Sequence, residues 1–316
     1  MNLAERSSVV RRRDFLYGLG ALTLTPVRVG QVFALVGASA THRVGDVELR
    51  VISEGHLTVP ARLLATNIDE AVLRDWLATN DPAPEFLTPP ANVTLVRTAS
   101  ELMLIDVGAG TRFMPTLGKL VGNLQAIGID PKAITKVVIT HAHPDHLWGV
   151  IDEFDEPAFP NAEFFISEAE LTFWNAADVA SRMPEDRLNF VPGAQRSFER
   201  IRARLRTIRS GADIVTGVRA IDTAGHTPGH ISIEISAGSE TVVVLGDALT
   251  HATVSFAHPE WTPAADHFDR NQAVRTRLRL LDQLAANKSR IIGYHLPFPG
   301  IGFVERSGSS YRFIPA

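Results

Sequence analysis

Three histidines and one aspartate lie within a seven-residue stretch, residues 140–146, which reads His-x-His-x-Asp-His from His141 onward. Side chains of an extended segment repeat in direction every two residues, so His141 and His143 are predicted to point to the same side. Asp145 and His146 are adjacent and are therefore predicted to face a neighbouring centre. Imidazole and carboxylate groups are ligands for divalent metal ions, whereas core packing or a solvated loop explains such a dense group poorly.

Further residues of the same types recur where other predicted strands end. Residues 134–139 are apolar and largely β-branched, as expected for a buried strand that leads into the histidine-rich loop. His226, Asp247 and His295 each follow another predicted strand. Five histidines and two aspartates are thus expected at one edge of the sheets. That number suits two metal ions with Asp247 between them; zinc is favoured, while iron, manganese and cobalt remain open.

The composition excludes several classes of protein. The 316 residues are enough for a substantial core, and 45% hydrophobic and 21% charged residues are ordinary for a globular protein. No cysteine is present, which excludes disulfides, thiolate metal sites and a cysteine nucleophile. Residues 1–40 carry five arginines against two acidic residues, so the remainder, with 26 basic and 33 acidic residues, has a net charge of -7. This balance argues against a nucleic-acid or anionic-membrane partner.

Residues 1–40 are predicted to be a twin-arginine-type signal peptide. The run Arg-Arg-Asp-Phe-Leu from Arg12 resembles the twin-arginine export motif, and residues 38–40 have the small-x-small pattern of a cleavage site. No stretch between them approaches the roughly 20 apolar residues that span a bilayer, so stable membrane insertion is not expected. A short anchor or an amphipathic helix is the alternative. We expect a periplasmic or secreted protein whose functional domain covers residues 41–316.

Residues 41–316 read as one domain of two packed sheets with helices outside. Apolar patterns predict strands at residues 47–52, 92–98, 101–107, 134–139, 162–166, near 214, 218–222, 230–236, 241–245 and 290–294. Helices are predicted at residues 115–127, from a Ser167 cap to about residue 177 with Glu170 in the capping-box position, and at 270–287. The arginine-rich residues 198–209 are interpreted as the solvated face of a helix. Strands in runs favour two sheets over a doubly wound one.

The order His-x-His-x-Asp-His, Gly-His-Thr-Pro-Gly-His, Gly-Asp and a last His resembles that of the metallo-β-lactamase superfamily of dinuclear metallohydrolases. The resemblance covers about residues 47–316 and implies an α/β fold, a single-domain four-layer αββα sandwich with two divalent ions, most commonly Zn²⁺, at one edge. It implies that one metal is held by His141, His143 and His226. It further implies that the other metal is held by Asp145, His146 and His295, and that Asp247 lies between the two.

Two other residues match the family pattern outside the ligand set. The resemblance implies that Asp106, at the end of a predicted strand, supports the ligand loop. It also implies that His230 forms hydrogen bonds rather than binding metal, and an ordinary structural histidine is the alternative interpretation.

Within the superfamily, residues 113–118, 173–174 and 295–302 are similar to methyl parathion hydrolase and its lactonase relatives. This similarity implies that Phe113, Trp174 and Phe190 line a hydrophobic substrate pocket, although each could be an ordinary core aromatic. Lactonases that open acyl-homoserine lactones often carry a tyrosine shortly after the bridging aspartate. No tyrosine occupies that region here, and His251 is the candidate substitute; a structural or solvent-facing role is its alternative.

The expected function is hydrolysis of a small-molecule lactone, aryl ester or phosphotriester with a hydrophobic group. A hydroxide between the two metals would attack the carbonyl carbon or phosphorus, and Asp145 would return a proton to the leaving group. The nucleophile elbow Gly-x-Ser-x-Gly is absent from the chain. Two alternatives remain open: an iron-dependent redox enzyme of the same fold, similar to persulfide dioxygenases, and a non-catalytic metal-binding protein. A homodimer is expected by family analogy alone.

Overall fold

A computed structural model describes residues 39–82 and 84–316, which form two large β-sheets, a small two-stranded sheet and surrounding helices. The strands in chain order are β1 Ser39–Val44, β2 Val47–His56, β3 Val59–Pro60, β4 Phe86–Leu87, β5 Pro90–Arg97, β6 Leu102–Ile105, β7 Lys136–Ile139, β8 Glu163–Ser167, β9 Leu205–Ile208, β10 Asp213–Val215, β11 Val218–Asp222, β12 Ile231–Ala237, β13 Glu240–Val244, β14 Arg290–Ile292, β15 Ile301–Ser307 and β16 Ser310–Pro315. The helices are α1 Glu70–Asn80, α2 Leu120–Ala126, α3 Pro144–Leu147, α4 Glu168–Trp174, α5 Phe190–Ile201, α6 Val254–Ala257 and α7 Arg270–Asn287.

Three apolar clusters show that the two large sheets are stacked between helices. The central cluster joins residues of β2, such as Val51, to residues of β12, such as Ile233. Leu124 of α2 and Phe198 of α5 belong to a cluster on the outer face of the first sheet. Leu281 of α7 belongs to a third cluster, on the outer face of the second sheet. The layer order is therefore helix, sheet, sheet and helix, which is the αββα sandwich that the family resemblance implies.

The direction of the strands brings several loops to the same edge of each sheet. The first sheet has the order β1-β2-β5-β6-β7-β8-β9, and β6, β7 and β8 run parallel, so their carboxyl ends coincide. In the second sheet β10 to β16 follow in sequence order. There β13 and β14 are parallel, and β12 is antiparallel to both β11 and β13, so the loops after β11, β13 and β14 share one edge. These are the loops that carry the predicted ligands.

A buried carboxylate on β2 holds the loop that runs from β6 to α2. One Glu54 oxygen, Oε1, accepts hydrogen bonds from the backbone N–H groups of Ala109 and Gly110, each at 3.1 Å, and of Gly118 at 2.9 Å. The other oxygen, Oε2, accepts from Leu120 N–H at 2.6 Å. Burial raises the pKa of Glu54 to about 7, and the four N–H donors oppose that rise. The helix expected over residues 115–127 begins only at Leu120, because the preceding turn is bonded to Glu54 instead.

Several elements differ from the sequence prediction. The helix expected over residues 198–209 ends at Ile201, and Leu205–Ile208 forms β9, an edge strand parallel to β8. Two residues of β9 are exposed, so the segment lacks the apolar pattern of a buried strand. The strand at residues 290–294 is not the last, since β15 and β16 follow it as a hairpin. Strand β1 and helix α1 were also not predicted.

The predicted signal peptide lies outside the described residues except for its last two positions. Ser39 and Ala40 belong to β1, where they pair with Ile52 and Val51 of β2. Within the described part of the chain, no helix is both long and apolar enough to cross a membrane.

Replacing Glu54 with glutamine would place an amide N–H₂ group against backbone N–H donors that now share a carboxylate. We expect the free energy of unfolding at pH 7 to fall by about 1–3 kcal/mol, measured by urea denaturation. The matched control is Glu240→Gln on the exposed start of β13, which should change stability by less than about 0.5 kcal/mol. A Glu54→Gln variant as stable as the control would show that these hydrogen bonds do not hold the loop.

Candidate metal centre

Four buried side chains direct nitrogen and oxygen atoms towards one point at the sheet edge. Nε2 of His141 and Nε2 of His226 each lie 3.0 Å from Nδ1 of His143. Oδ2 of Asp247 lies 3.3 Å from His226 Nε2 and 4.0 Å from His141 Nε2. All four ligand atoms lie within 4.8 Å of one another. This spacing fits atoms that share one metal ion.

A second group of three buried side chains lies beside the first. Oδ2 of Asp145 is 3.3 Å from His295 Nε2 and 3.6 Å from His146 Nε2. The carboxylate of Asp247 also faces this group, with Oδ1 at 3.1 Å from His146 Nε2 and Oδ2 at 3.4 Å from His295 Nε2. The structure therefore brings together all seven residues that the sequence pattern singles out, in the two expected groups, with Asp247 between them.

Buried polar atoms that lack a hydrogen-bond partner show whether the two groups fit metal ions. Within residues 39–82 and 84–316, Asp145 Oδ2, His146 Nε2 and Asp247 Oδ1 are buried without a hydrogen-bond partner. Such atoms are costly unless something else satisfies them. Burial lowers the pKa of His295, but the carboxylates of Asp247 and Asp145 outweigh that effect and raise the pKa to about 10. Unsatisfied donor atoms and a local excess of negative charge both fit divalent cations held by imidazole and carboxylate.

Asp106 supports the ligand loop as the resemblance implies. It follows β6 with a positive φ of 61°. Its Oδ1 accepts from the backbone N–H of Thr140 at 2.8 Å, and its Oδ2 lies 2.8 Å from Nδ1 of His146. A proton on Nδ1 leaves Nε2 of His146 free to act as a ligand, so Asp106 sets both the position and the tautomer of this imidazole.

His230 lies outside both ligand groups and positions the bridging aspartate. Its Nε2 accepts a hydrogen bond from the backbone N–H of Asp247 at 2.9 Å, and its Nδ1 lies 2.8 Å from Thr223 Oγ1. Burial lowers the pKa of His230 to about 3, which keeps the ring neutral and able to accept. Gly246 has a φ of 54°, and a Cβ there would lie 2.6 Å from His230 Nε2. Glycine is therefore required before Asp247.

Glu170 connects the two loops that carry the three histidines of the first ligand group, a role that the sequence pattern does not indicate. The expected capping-box bond from its side chain is not formed, although Ser167 does cap α4. Instead the buried carboxylate accepts hydrogen bonds from both loops and from the indole of α4. The donors are Ala142 N–H at 2.9 Å, Trp174 Nε1–H at 2.8 Å, Thr227 Oγ1–H at 2.8 Å and Gly229 N–H at 2.9 Å.

Asp266 is a further carboxylate that supports a ligand, His226, and no sequence motif indicates it. Its Oδ1 lies 2.9 Å from Nδ1 of His226, and its Oδ2 accepts from Nη1 of Arg277 at 2.5 Å. Both Asp266 and Arg277 are buried. Burial raises the pKa of Asp266, but the charge of Arg277 and the hydrogen bond to His226 outweigh it and lower the pKa, so this carboxyl stays ionised. It lies 40 residues after His226 in an irregular loop, and no local motif marks it.

A cavity of about 190 Å³ opens onto the ligand groups, and its lining shows which of the predicted substrate residues border it. Phe113 and Phe190 line it, with ring centroids 5.8 Å apart. Trp174 does not line it, so its predicted pocket role is wrong. This side chain is fully buried behind His143, and its indole N–H is bonded to Glu170. The cavity also has aliphatic walls, formed by Leu57, Val59, Leu63, Leu64, Leu87 and Met114.

His251 also lines this cavity, and its backbone contacts define its tautomer. Nδ1 accepts hydrogen bonds from the N–H groups of Thr253 at 3.3 Å and Val254 at 3.2 Å. The ring proton therefore resides on Nε2, which lies 4.0 Å from Oδ2 of Asp81. Burial lowers the pKa of His251, which favours the neutral ring. The result is a neutral imidazole with one N–H donor beside the ligand groups.

Replacing Asp266 with asparagine should weaken metal binding about 10–100-fold, because the support of His226 loses its charge. Competition with a chelator measures the affinity, and Asp213→Asn on exposed β10 is the control. Should the unpaired Arg277 prevent folding, the double variant Asp266→Asn/Arg277→Met removes that buried charge and allows the same measurement. Unchanged affinity in a folded variant would contradict the role of Asp266.

Comparison with known proteins agrees with this geometry. The family model described as metallo-beta-lactamase superfamily matches residues 88–287. The dizinc quorum-quenching lactonase AidC, solved in complex with a product, is 29% identical with a TM-score of 0.83, covering 89% of this chain and 98% of its own. The hydrolase AbOPH is 31% identical with a TM-score of 0.80 and the same coverage of both chains.

A curated relative, the uncharacterized protein YobT of Bacillus subtilis (strain 168), is 27% identical over 201 residues, which are 61% of this chain and 79% of that protein. The family match spans more than half of the chain, and the fold and ligand groups agree with it. The chain belongs to the metallo-β-lactamase superfamily.

Proposed function

We propose that this protein is a dizinc hydrolase that opens lactones or cleaves aryl esters or phosphotriesters with a hydrophobic group. The observation that carries the proposal is the position of Asp247, which faces both ligand groups at the floor of a largely apolar cavity. Similarity to a quorum-quenching lactonase and to the hydrolase AbOPH supports the same class of reaction. Lactones are the first choice, because AidC is described as a lactonase.

The ligand residues have distinct tasks in this reaction. Two divalent ions bound there would lower the pKa of a shared water molecule and supply hydroxide near neutral pH. Asp247 keeps the two ligand groups at a fixed separation through both of its oxygens. Asp145 belongs to one ligand group and also lines the cavity, so it can take a proton and return it to the leaving oxygen.

His251 supplies a hydrogen-bond donor on the substrate side. His251 lines the cavity that the ligand residues also line, and the two backbone bonds to Nδ1 leave its ring proton on Nε2. A neutral donor directed at the carbonyl or phosphoryl oxygen would stabilise the negative charge that develops there during attack. This role corresponds to that of the tyrosine which the chain lacks.

The aliphatic and aromatic walls select the rest of the substrate. Leu57, Leu64 and Leu87 form part of a surface that excludes water and matches an acyl chain or an aryl ring.

We further propose export to the periplasm, on the basis of the motif at Arg12 and Arg13. Mass spectrometry of periplasmic material tests this: the expected chain lacks the first 40 residues or so. Recovery of a chain that still begins near Met1 would contradict export with cleavage.

Zinc-loaded protein should hydrolyse at least one of three substrates: N-hexanoyl-homoserine lactone, 4-nitrophenyl acetate and methyl parathion. Asp247→Ala should lower that turnover by more than about 100-fold, since the loss of mere supporting residues at metal sites costs 10–100-fold. Asp213→Asn serves as the control. Oxygen uptake by the iron-loaded protein without ester turnover would support the redox alternative. Bound metals without turnover on a broad panel would support a non-catalytic protein.

Replacing His251 with phenylalanine keeps a planar ring and removes the N–H donor. We expect kcat to fall about 10²–10³-fold with little change in KM, because the hydrogen bond strengthens in the transition state. His251→Gln should recover part of the rate, and His42→Gln at the opposite end of the sheets is the control. A kcat within threefold of the wild type for His251→Phe would rule out this role.

A further inference from the structure

Among the described residues, Arg187 is the one arginine or lysine that lines the cavity, and neither the motifs nor the ligand groups account for it. Arg187 ends the short 3-10 helix Glu185–Arg187, just before α5. Its side chain borders the same cavity as Asp145 and Asp247, and it is partly buried there. A guanidinium in a largely apolar cavity is costly unless a partner compensates its charge.

The protein provides little compensation for this charge. Nη1 of Arg187 lies 2.9 Å from Nδ1 of His267, and an imidazole is a weak partner for a guanidinium. The carboxylates of Asp186, Asp266 and Asp145 act on Arg187 only through space, and within the described part of the chain none forms a hydrogen bond with it. The carboxylate of Asp266 is already bonded to Arg277 and His226. Arg187 therefore retains N–H donors for a ligand.

The chemistry of the group indicates what that ligand is. A guanidinium presents five N–H donors in a planar fork, which matches the two oxygens of a carboxylate. Hydrolysis of a neutral ester or lactone breaks the acyl C–O bond, adds hydroxide to the acyl carbon and transfers a proton to the leaving oxygen. The resulting acid loses its proton at neutral pH, so the reaction itself creates a carboxylate in this cavity.

We infer that Arg187 is a carboxylate-binding residue of the substrate pocket. The carboxylate is either the one that hydrolysis forms or one that the substrate already carries away from the scissile bond. This inference rests on the proposed hydrolase function. It narrows the substrate class to acyl compounds, because a phosphotriester yields no carboxylate.

Calorimetric titration of the zinc-loaded protein with hexanoate tests the inference without requiring turnover. Arg187→Met should raise the dissociation constant for hexanoate about 10–100-fold, as expected for loss of charge-assisted hydrogen bonds. Arg187→Lys keeps the positive charge but loses the planar fork of N–H donors. Its dissociation constant for hexanoate should lie between those of the wild type and Arg187→Met. Arg202→Met, at an exposed arginine after α5, is the matched control and should bind hexanoate like the wild type.

Two esters distinguish the sources of the carboxylate: 4-nitrophenyl hexanoate and mono-4-nitrophenyl adipate, which carries a terminal carboxylate. If the product is the ligand, Arg187→Met weakens inhibition by hexanoate and changes kcat/KM for the two esters by the same small factor. If the substrate carries the group, Arg187→Met lowers kcat/KM for the adipate ester about tenfold more than for the hexanoate ester. Both results support carboxylate binding by Arg187.

Equal hexanoate affinity in the wild type and in folded Arg187→Met, with no selective loss on either ester, would overturn the inference. The proposed hydrolase function would survive that result if the wild type still cleaves esters. Conversely, loss of hexanoate binding in Arg187→Met together with no turnover of any ester by the wild type would keep the carboxylate site and remove the hydrolase proposal.

Discussion

Two carboxylates and five imidazoles are buried around a common centre, and the surrounding loops are held where this burial requires them. Asp145 and Asp247 are both more than nine-tenths buried, and each has an oxygen with no hydrogen-bond partner in the described part of the chain. Such an arrangement costs free energy in a folded protein unless cations balance it, because water and protein donors are both excluded. Binding of two divalent ions would therefore be coupled to folding of the sheet edge, and the proposed hydrolysis would use the same two ions.

Four further carboxylates keep this centre in place without any disulfide. Glu54 binds the loop before α2, Asp106 and Glu170 hold the histidine-rich loop, and Asp266 orients His226. Each accepts hydrogen bonds from backbone or imidazole N–H groups on a different chain segment, so loops from two sheets are fixed relative to one another. Buried carboxylates can do this because each oxygen accepts more than one hydrogen bond.

The ligand residues could be predicted from sequence because they lie in short motifs at strand ends, and the resemblance to a known family supplied the layer order. Residues that belong to no local sequence pattern could not be predicted in this way. Asp266 lies in an irregular loop and Arg187 in a short 3-10 helix, and their imidazole partners, His226 and His267, are distant in sequence. Trp174 was assigned to the pocket by local similarity, whereas its bond to Glu170 and its packing behind His143 make it a core residue. The sequence pattern predicts helix at the edge strand β9, since its arginine and threonine are exposed and leave no apolar alternation.

We propose that Asp247 lies between two metal ions. Anomalous diffraction at the zinc edge from crystals of the zinc-loaded protein would locate those ions. We expect two peaks about 3.5–4 Å apart, one beside His141, His143 and His226 and the other beside Asp145, His146 and His295, with Asp247 within coordinating distance of both. A single peak, or two peaks that Asp247 does not approach, would contradict it.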